Sequence, residues 1–513
     1  MGALKSNYIT TRLRSKTGIQ RDGTIYDSEN YVDGQHCRFY KGAARKMGGY
    51  RALTVGHEEI VRNMFSVPAS SSIDLYMGRA STVGYNNVTW SGSAAVFQDR
   101  TPDGFTFDEN NQWCFDSFTQ TITDPASYIC AHVTPNLLDM TSTTNGPIYF
   151  GSTADILPLE PIADTYNGPI TCSGGIVYAP PVMVAYGNDG TLQYSAPGDL
   201  TIWSHDPGHV PNQVALANTK LIKAYRTRGA SQVSILIWGV NNLLRADYND
   251  AATFAGTTLT DDITVLSPNC IVKYNQIFFW IGVDQFYTYN GITQKLPNTM
   301  STDWFFGNLN YDYRSKVFGI AVPRYGEIMW FYPSGNATEC DAVVIFNVEE
   351  KTWYDTRLSR SAGIPSTTFR YPILADNEPY IVGGTQTYPI WQHEYRFDKV
   401  IGGYSYPIES SFKTHYLDMF SENATNNILM RVRRIEPDFF STGPMSVEVH
   451  TREFPQDTDT VVGPVAFDNT TKKIDDVTCQ GRLVSVKFKS FAVGGFYQGG
   501  HTILDYQEGD VIP

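Results

Sequence analysis

Apolar residues along this chain come in short runs of four to eight, broken by Gly, Asn, Asp and Pro. Helical periodicity is almost absent, and runs of this length bounded by turn residues predict strands. Four stretches predict hairpins. Residues 182–194 turn at Asn188-Asp189-Gly190, 233–247 at Val240-Asn241-Asn242, 277–291 at Gly282-Val283-Asp284, and 317–331 at Arg324-Tyr325-Gly326. Asn, Asp and Gly recur at these tips because they tolerate positive φ.

One apolar strand per unit, marked at Val184, Ile237, Phe279, Met329 and Ile381, gives spacings of 53, 42, 50 and 52 residues. Leu75 and Cys130 precede them at similar distances. A period of about 40–50 residues, with three or four strands per unit, predicts β-propeller blades. A small twisted sheet cannot bury both faces alone; packing sheets radially does so, and closing the ring leaves few open edges. Six or seven blades are expected over residues 51–400, with Trp238, Trp280, Trp330 and Trp353 between them. After about residue 400 the strands lengthen and follow closely, as in NNILMRVRRIEPDF and RLVSVKFKS, which predicts a β-sandwich over residues 401–513. Residues 1–50 have few apolar positions before Cys37 and read as an extended arm leading into the first blade. The expected fold class is all-β, a β-propeller with a C-terminal β-sandwich.

Composition narrows the function. Charged residues are 18% and aromatics 13%, which rules out a coiled coil or a disordered chain. The net charge of −13 is unevenly spread. Residues 1–50 hold nine basic and four acidic groups, whereas residues 401–513 hold ten basic and fifteen acidic. An acidic body argues against a DNA-gripping surface, which needs clustered Lys and Arg to displace counterions from phosphate. Seven scattered Cys without a CxxC spacing fit reduced, buried thiols. The N-terminus is basic without an apolar core, so a signal peptide is not expected, and Met1-Gly2 with Ser6 matches only the short, common myristoylation pattern. The longest apolar runs, at 234–240 and 277–283, are strand-length, so no membrane anchor is expected.

Candidate chemistry is sparse. No Walker A loop, GxSxG elbow, GxGxxG turn, HExxH helix or sialidase-type Ser-x-Asp-x-Gly-x-x-Trp box is present. His205 and His209 flank Asp206-Pro207-Gly208 and read as a solvated turn more readily than as a metal site. Asp457-Thr458-Asp459 begins like a calcium loop but has neither its Gly nor its terminal Glu. No catalytic residue, cofactor or metal is called for, and an enzyme is not expected. The basic cluster Arg38, Lys41, Arg45, Lys46 and Arg51 runs against the overall charge. It reads either as a solvated arm or as a surface that docks onto an acidic neighbouring subunit or adaptor. Removing residues 1–45 is expected to weaken such attachment and leave the propeller folded.

Several segments bear a family resemblance. RFYKGAARKMGGYRAL (38–53) resembles the start of phage tail-hub proteins. Residues 263–291 and 343–358 resemble blades of the packaged-DNA stabilisation, or tail nozzle, proteins of short-tailed bacteriophages. The ending, from RVRRIEPDF (431–439) to GGFYQGGHTILDYQEGD (494–510), resembles sandwich segments of related virion proteins. The resemblance implies a homo-hexameric structural protein below the portal and its adaptor, assembled in the host cytoplasm. It would close the channel over packaged double-stranded DNA and open for genome ejection, with tail fibres as further candidate partners. The DNA would pass without sequence-specific binding. A host-surface carbohydrate-binding or carbohydrate-cleaving propeller is the alternative.

Overall fold

The computed structural model describes residues 8–511 except 56, 69–71, 90–96, 106–110, 123–125, 135–143, 206–207, 229–232, 250, 366–368 and 419–427. The chain is all-β, as expected. Among the described residues its longest α-helix is the short Thr302–Asn308, and no helix is long and apolar enough to cross a membrane.

Residues 61–393, with Tyr50–Thr54 as one added strand, form seven sheets, each built on an antiparallel four-strand meander, and three two-stranded hairpins among the described residues. Their first strands are Val61–Pro68, Gln112–Gln120, Gly175–Ala179, Leu221–Arg228, Val272–Tyr274, Phe318–Val322 and Ala362–Ile364. All seven first strands line one central cavity. Apolar clusters link neighbouring sheets in chain order. Tyr76 and Val83 of the first sheet pack with Trp113 and Ile129 of the second. Ile73, Leu75 and Met77, on the other face of that first sheet, pack with Ala362, Ile373 and Ile390 of the seventh. The first sheet thus packs against both the second and the seventh, so that packed neighbours run in a ring around the cavity.

The second strand of each sheet explains the period. In Ser72–Arg79, alternate side chains point to opposite neighbours, and all eight residues are buried. Val182–Gly187 and Glu327–Tyr332 are likewise buried throughout. A strand covered on both faces reads as a continuous apolar run. Leu75, Cys130, Val184, Ile237, Phe279 and Met329 all lie on such second strands. Ile381 does not: it sits 61% exposed on a small hairpin outside the meander, and the seventh second strand is Ile373–Ala375. The four hairpins form with the turns expected. At the first tip Asp189 and Gly190 take φ of 54° and 86°, and a Cβ on Gly190 would lie 2.1 Å from the Ala217 carbonyl oxygen.

The four tryptophans pack between sheets. Trp238 and Trp280 meet edge-on at 5.8 Å, and Trp330 and Trp353 stack at 6.1 Å. Three of these indole N–H groups donate to backbone carbonyls: Trp280 to Thr264, Trp330 to Cys270 and Trp353 to Pro297. Buried indoles need such partners, so these bonds fix ring orientation as well as burial.

The N-terminal segment departs from the extended-arm expectation. Ile9–Arg12 pairs with the C-terminal strand Ile503–Val511, and Asp33–Gln35 pairs with Ser410–Lys413. Cys37–Tyr40 and Ala43–Lys46 form a hairpin joined to Phe496–Gly499. These strands complete the three sheets of the C-terminal unit, whose largest is ordered Asp33–Gln35, Ser410–Lys413, Leu483–Ser490, Met445–Arg452 and Thr460–Phe467. The segment does not enter the first sheet either. Tyr50–Thr54 pairs with Ile390–His393 as the fourth strand of the seventh sheet, and Asp398–Ile401 then pairs parallel to it. The physical reason is edge satisfaction: an open sheet edge carries unpaired N–H and C=O groups, and the chain's own start supplies their partners.

One core spans the ring and the C-terminal unit. It joins Phe318, Ile320 and Met329 of the sixth sheet to Leu13, Ile19 and Phe39 of the N-terminal segment and to Val447, Val486 and Phe488. Polar contacts reinforce it. Arg21 grips Asp355 with two bonds of 2.9 Å, and the Asp22 carboxylate accepts from the backbone N–H groups of Asp303 and Trp304.

Candidate functional site

The five basic residues of the N-terminal cluster do not share one face. Arg38 is 1% exposed. Its guanidinium donates to both oxygens of Glu327, at 2.9 and 3.1 Å, and to both oxygens of Glu394, at 2.8 and 2.5 Å. The Tyr354 hydroxyl donates to Glu327 at 2.6 Å, and the Tyr325 ring lies 3.6 Å from the guanidinium carbon. Burial pushes Glu327 up, opposed by Arg38. For Glu394 burial also pushes up, but the charge and hydrogen bonds of Arg38 outweigh it and the carboxyl ends below its usual range. Arg38 therefore ties the sixth sheet to the Glu394 turn and is not a docking group.

Lys46 is also buried, with an ammonium that has no hydrogen-bond partner among the described residues, and burial draws it down to about 8 against the pull of Asp398. Arg45 is half-buried over the Phe496 ring at 5.1 Å. Arg51 donates to Gln392 at 2.7 Å and lies over Tyr395 at 4.4 Å. Of the five, Lys41 alone is exposed, at a hairpin tip with φ of 53°. Sequence spacing could not separate these roles, because strand pairing with distant segments decides which side chains are covered.

The other motifs are placed as follows. His205 is exposed and meets Asn212 at 3.2 Å, and His209 stacks on Tyr166 at 3.6 Å. Asp206 and Pro207 lie outside the described residues. Asp459 accepts from Lys413, Tyr416, Arg452 and His450, so its lone pairs are occupied by protein donors. Arg431, Arg433 and Arg434 lie along one C-terminal strand and bond Gln480, Gln507 and Asp505.

The central cavity, about 590 Å³, is walled by residues of all seven first strands. Three successive first strands bring Cys114 and Asp116, Tyr178, and Lys223, Tyr225 and Arg226 to its wall. Asp116 accepts from the backbone N–H of Tyr178 at 2.7 Å and of Ser117 at 2.8 Å. Burial raises its carboxyl to about 6, with Lys223 and Arg226 opposing. The Lys223 ammonium lies 4.0 Å from the Cys114 sulfur. Burial pulls Lys223 down, but Cys114, Tyr225 and Asp116 outweigh it and the amine ends above its ordinary value. The Tyr225 hydroxyl donates to Ile271 at 2.9 Å, bridging to the fifth sheet. Lys273 and Arg62 also line the cavity, and Arg62 is held by both oxygens of Glu339 at 2.7 and 3.0 Å. The sequence reading missed this site. Its signal is charge set among the aromatic and aliphatic residues of first strands, as in QWCFDSFTQ and LIKAYRTR.

Buried imidazoles give the fold a pH dependence. Burial lowers His36, His57 and His132 from 6.5 to about 4 each. They stay neutral in the folded chain while the unfolded chain takes up protons below about pH 6.5. Their contribution is present in full above that pH and is lost as the pH falls towards 4. Asp116, raised to about 6, works in the opposite sense over the lower part of that window, as do Glu327 and Asp355, also raised by burial. Burial lowers His393, His415 and His450 as well and adds them to the imidazole side. The urea midpoint is expected to drop steadily from pH 6.5 to pH 4, and a flat or rising midpoint would contradict this.

No family model matches the chain, and no curated protein matches it. Among solved structures, the computationally designed Ika8 protein overlays with a TM-score of 0.35 at 10% identity, covering 67% of this chain and 99% of that one. A likeness at that level carries no argument about function.

Proposed function

We propose that this chain is a structural protein of a short-tailed phage tail. In this reading copies assemble into a hexameric nozzle or hub below the portal and its adaptor. The assembly closes the DNA channel, retains packaged DNA and opens for ejection. The segment resemblances at 38–53, 263–291, 343–358 and 431–510 support the assignment. The observation that carries the assembly is an open sheet edge. Tyr404–Pro407 is the last strand of the six-stranded sheet built on the seventh unit, and all four of its residues are exposed. Tyr404 is 71% exposed. An uncovered edge with aromatic side chains is a template for pairing with another chain, and a second copy is the occupant a symmetric ring requires.

The genome would run between copies, along their outer surfaces. A cavity of 590 Å³ cannot pass a duplex, and its cations would hold phosphate. Sedimentation of the full chain with its adaptor is expected to give rings of about six copies. Tyr404→Glu with Tyr406→Glu is expected to shift these towards monomers while the melting temperature of the protomer stays unchanged. A strictly monomeric protein in the presence of its adaptor would overturn the reading.

A further inference from the structure

We infer that the central cavity binds a small organic anion, a phosphate or carboxylate carried on a sugar-sized polar frame. The inference does not rest on the phage reading: the cavity lies inside one protomer.

The charge balance is the first ground. The chain is acidic overall, at −13, yet Lys223, Arg226 and Lys273 line this cavity against a single lining carboxylate, Asp116, while a fourth lining cation, Arg62, is paired with Glu339. These cations sit on the first strands of the first, fourth and fifth sheets, so only ring closure brings them together. Three cations against one carboxylate leave this concave space with a positive excess that a bound anion neutralises.

The second ground is which groups remain available. Asp116 is committed to two backbone N–H groups. Arg62 is committed to Glu339, which Lys316 also contacts. Arg226 is different: it is exposed at the cavity wall and donates no hydrogen bond among the described residues. A guanidinium presents paired N–H donors that match a carboxylate or phosphate edge. Lys223, on the same strand, supplies a second positive charge within reach of Asp116.

The third ground is shape. Tyr178 lines the wall beside these groups, whereas the Tyr225 hydroxyl is used by Ile271 and its ring packs on Trp238 and Phe278. A ring face beside cations suits a sugar-sized frame bearing an anionic group, and 590 Å³ lies within the range of small-ligand clefts, about 300–1,000 Å³.

The test is calorimetric titration of the full-length protein with three probes: pyrophosphate, glucuronate and neutral glucose. Saturable binding of either anion, one per chain and without binding of glucose, is the expected result. Preference between the two anions tells phosphate from carboxylate recognition. Arg226→Gln is expected to weaken the binding about tenfold or more, and Lys223→Met to weaken it further. Thermal melting of Arg226→Gln checks that this exposed substitution leaves the fold intact. Failure of both anions to bind overturns the inference, as does binding that survives both substitutions unchanged or that glucose matches.

Discussion

Arg38→Ala is expected to destabilise the folded chain by about 3–5 kcal/mol, the usual cost of removing one partner from a buried ion pair. The cost comes from what remains. Glu327 is fully buried and Glu394 nearly so, and four carboxylate oxygens lose their guanidinium donors at once. Tyr354 would still donate to Glu327, but nothing among the described donors replaces the bonds to Glu394. Arg38→Lys is expected to recover little, because one ammonium cannot present the planar fork that spans both carboxylates. Replacing Arg38, Glu327 and Glu394 together with Met, Leu and Met is expected to cost less than Arg38→Ala alone, since no charge is then stranded. Urea unfolding followed by tryptophan fluorescence measures all three. A loss under about 1 kcal/mol for Arg38→Ala would show that the cluster is solvated and not buried.

Deleting residues 1–54 is expected to abolish cooperative folding. The deletion takes Leu13, Ile19, Phe39 and Met47 out of the shared core, each at most 5% exposed. Fully burying such a side chain contributes about 1.5–3 kcal/mol, so four together approach the whole stability of a domain, about 5–15 kcal/mol. The same deletion strips the fourth strand from the seventh sheet and leaves Phe318, Ile320 and Met329 of the sixth uncovered. The milder expectation from the sequence, that a chain lacking residues 1–45 keeps a folded propeller, therefore gives way. Limited proteolysis and near-ultraviolet circular dichroism read the outcome. A truncated chain that resists protease as the full chain does would remove the argument that the N-terminal segment is core.

Much of the ring was legible because its information is local. The hairpin turning at Asn188-Asp189-Gly190 joins strands three residues apart, and their pairing needs only the turn and the flanking apolar runs. The marker residues from Leu75 to Met329 fell on equivalent strands because a strand buried on both faces is apolar over most of its length, its few polar groups being paired. Ile381 misled because an exposed hairpin can carry a short apolar run too. Strict alternation also fails within Ile428–Glu436. A register shift between Val432 and Arg434 places Val432 and Ile435 inside and Arg434 outside against Asp505, which strict period two would not give.

The sequence by itself determined the fold class, the repeat and most of the turns, since neighbouring strands, turn chemistry and burial on both faces leave their mark within about fifty residues of chain. Only the tertiary structure decided that a basic opening segment is interior, that Arg38 answers Glu327 and Glu394 some three hundred residues away, and that cations of separate sheets meet in one cavity. Such pairings depend on which sheet edges and faces end up adjacent when the ring closes, and no local pattern of side chains encodes that adjacency.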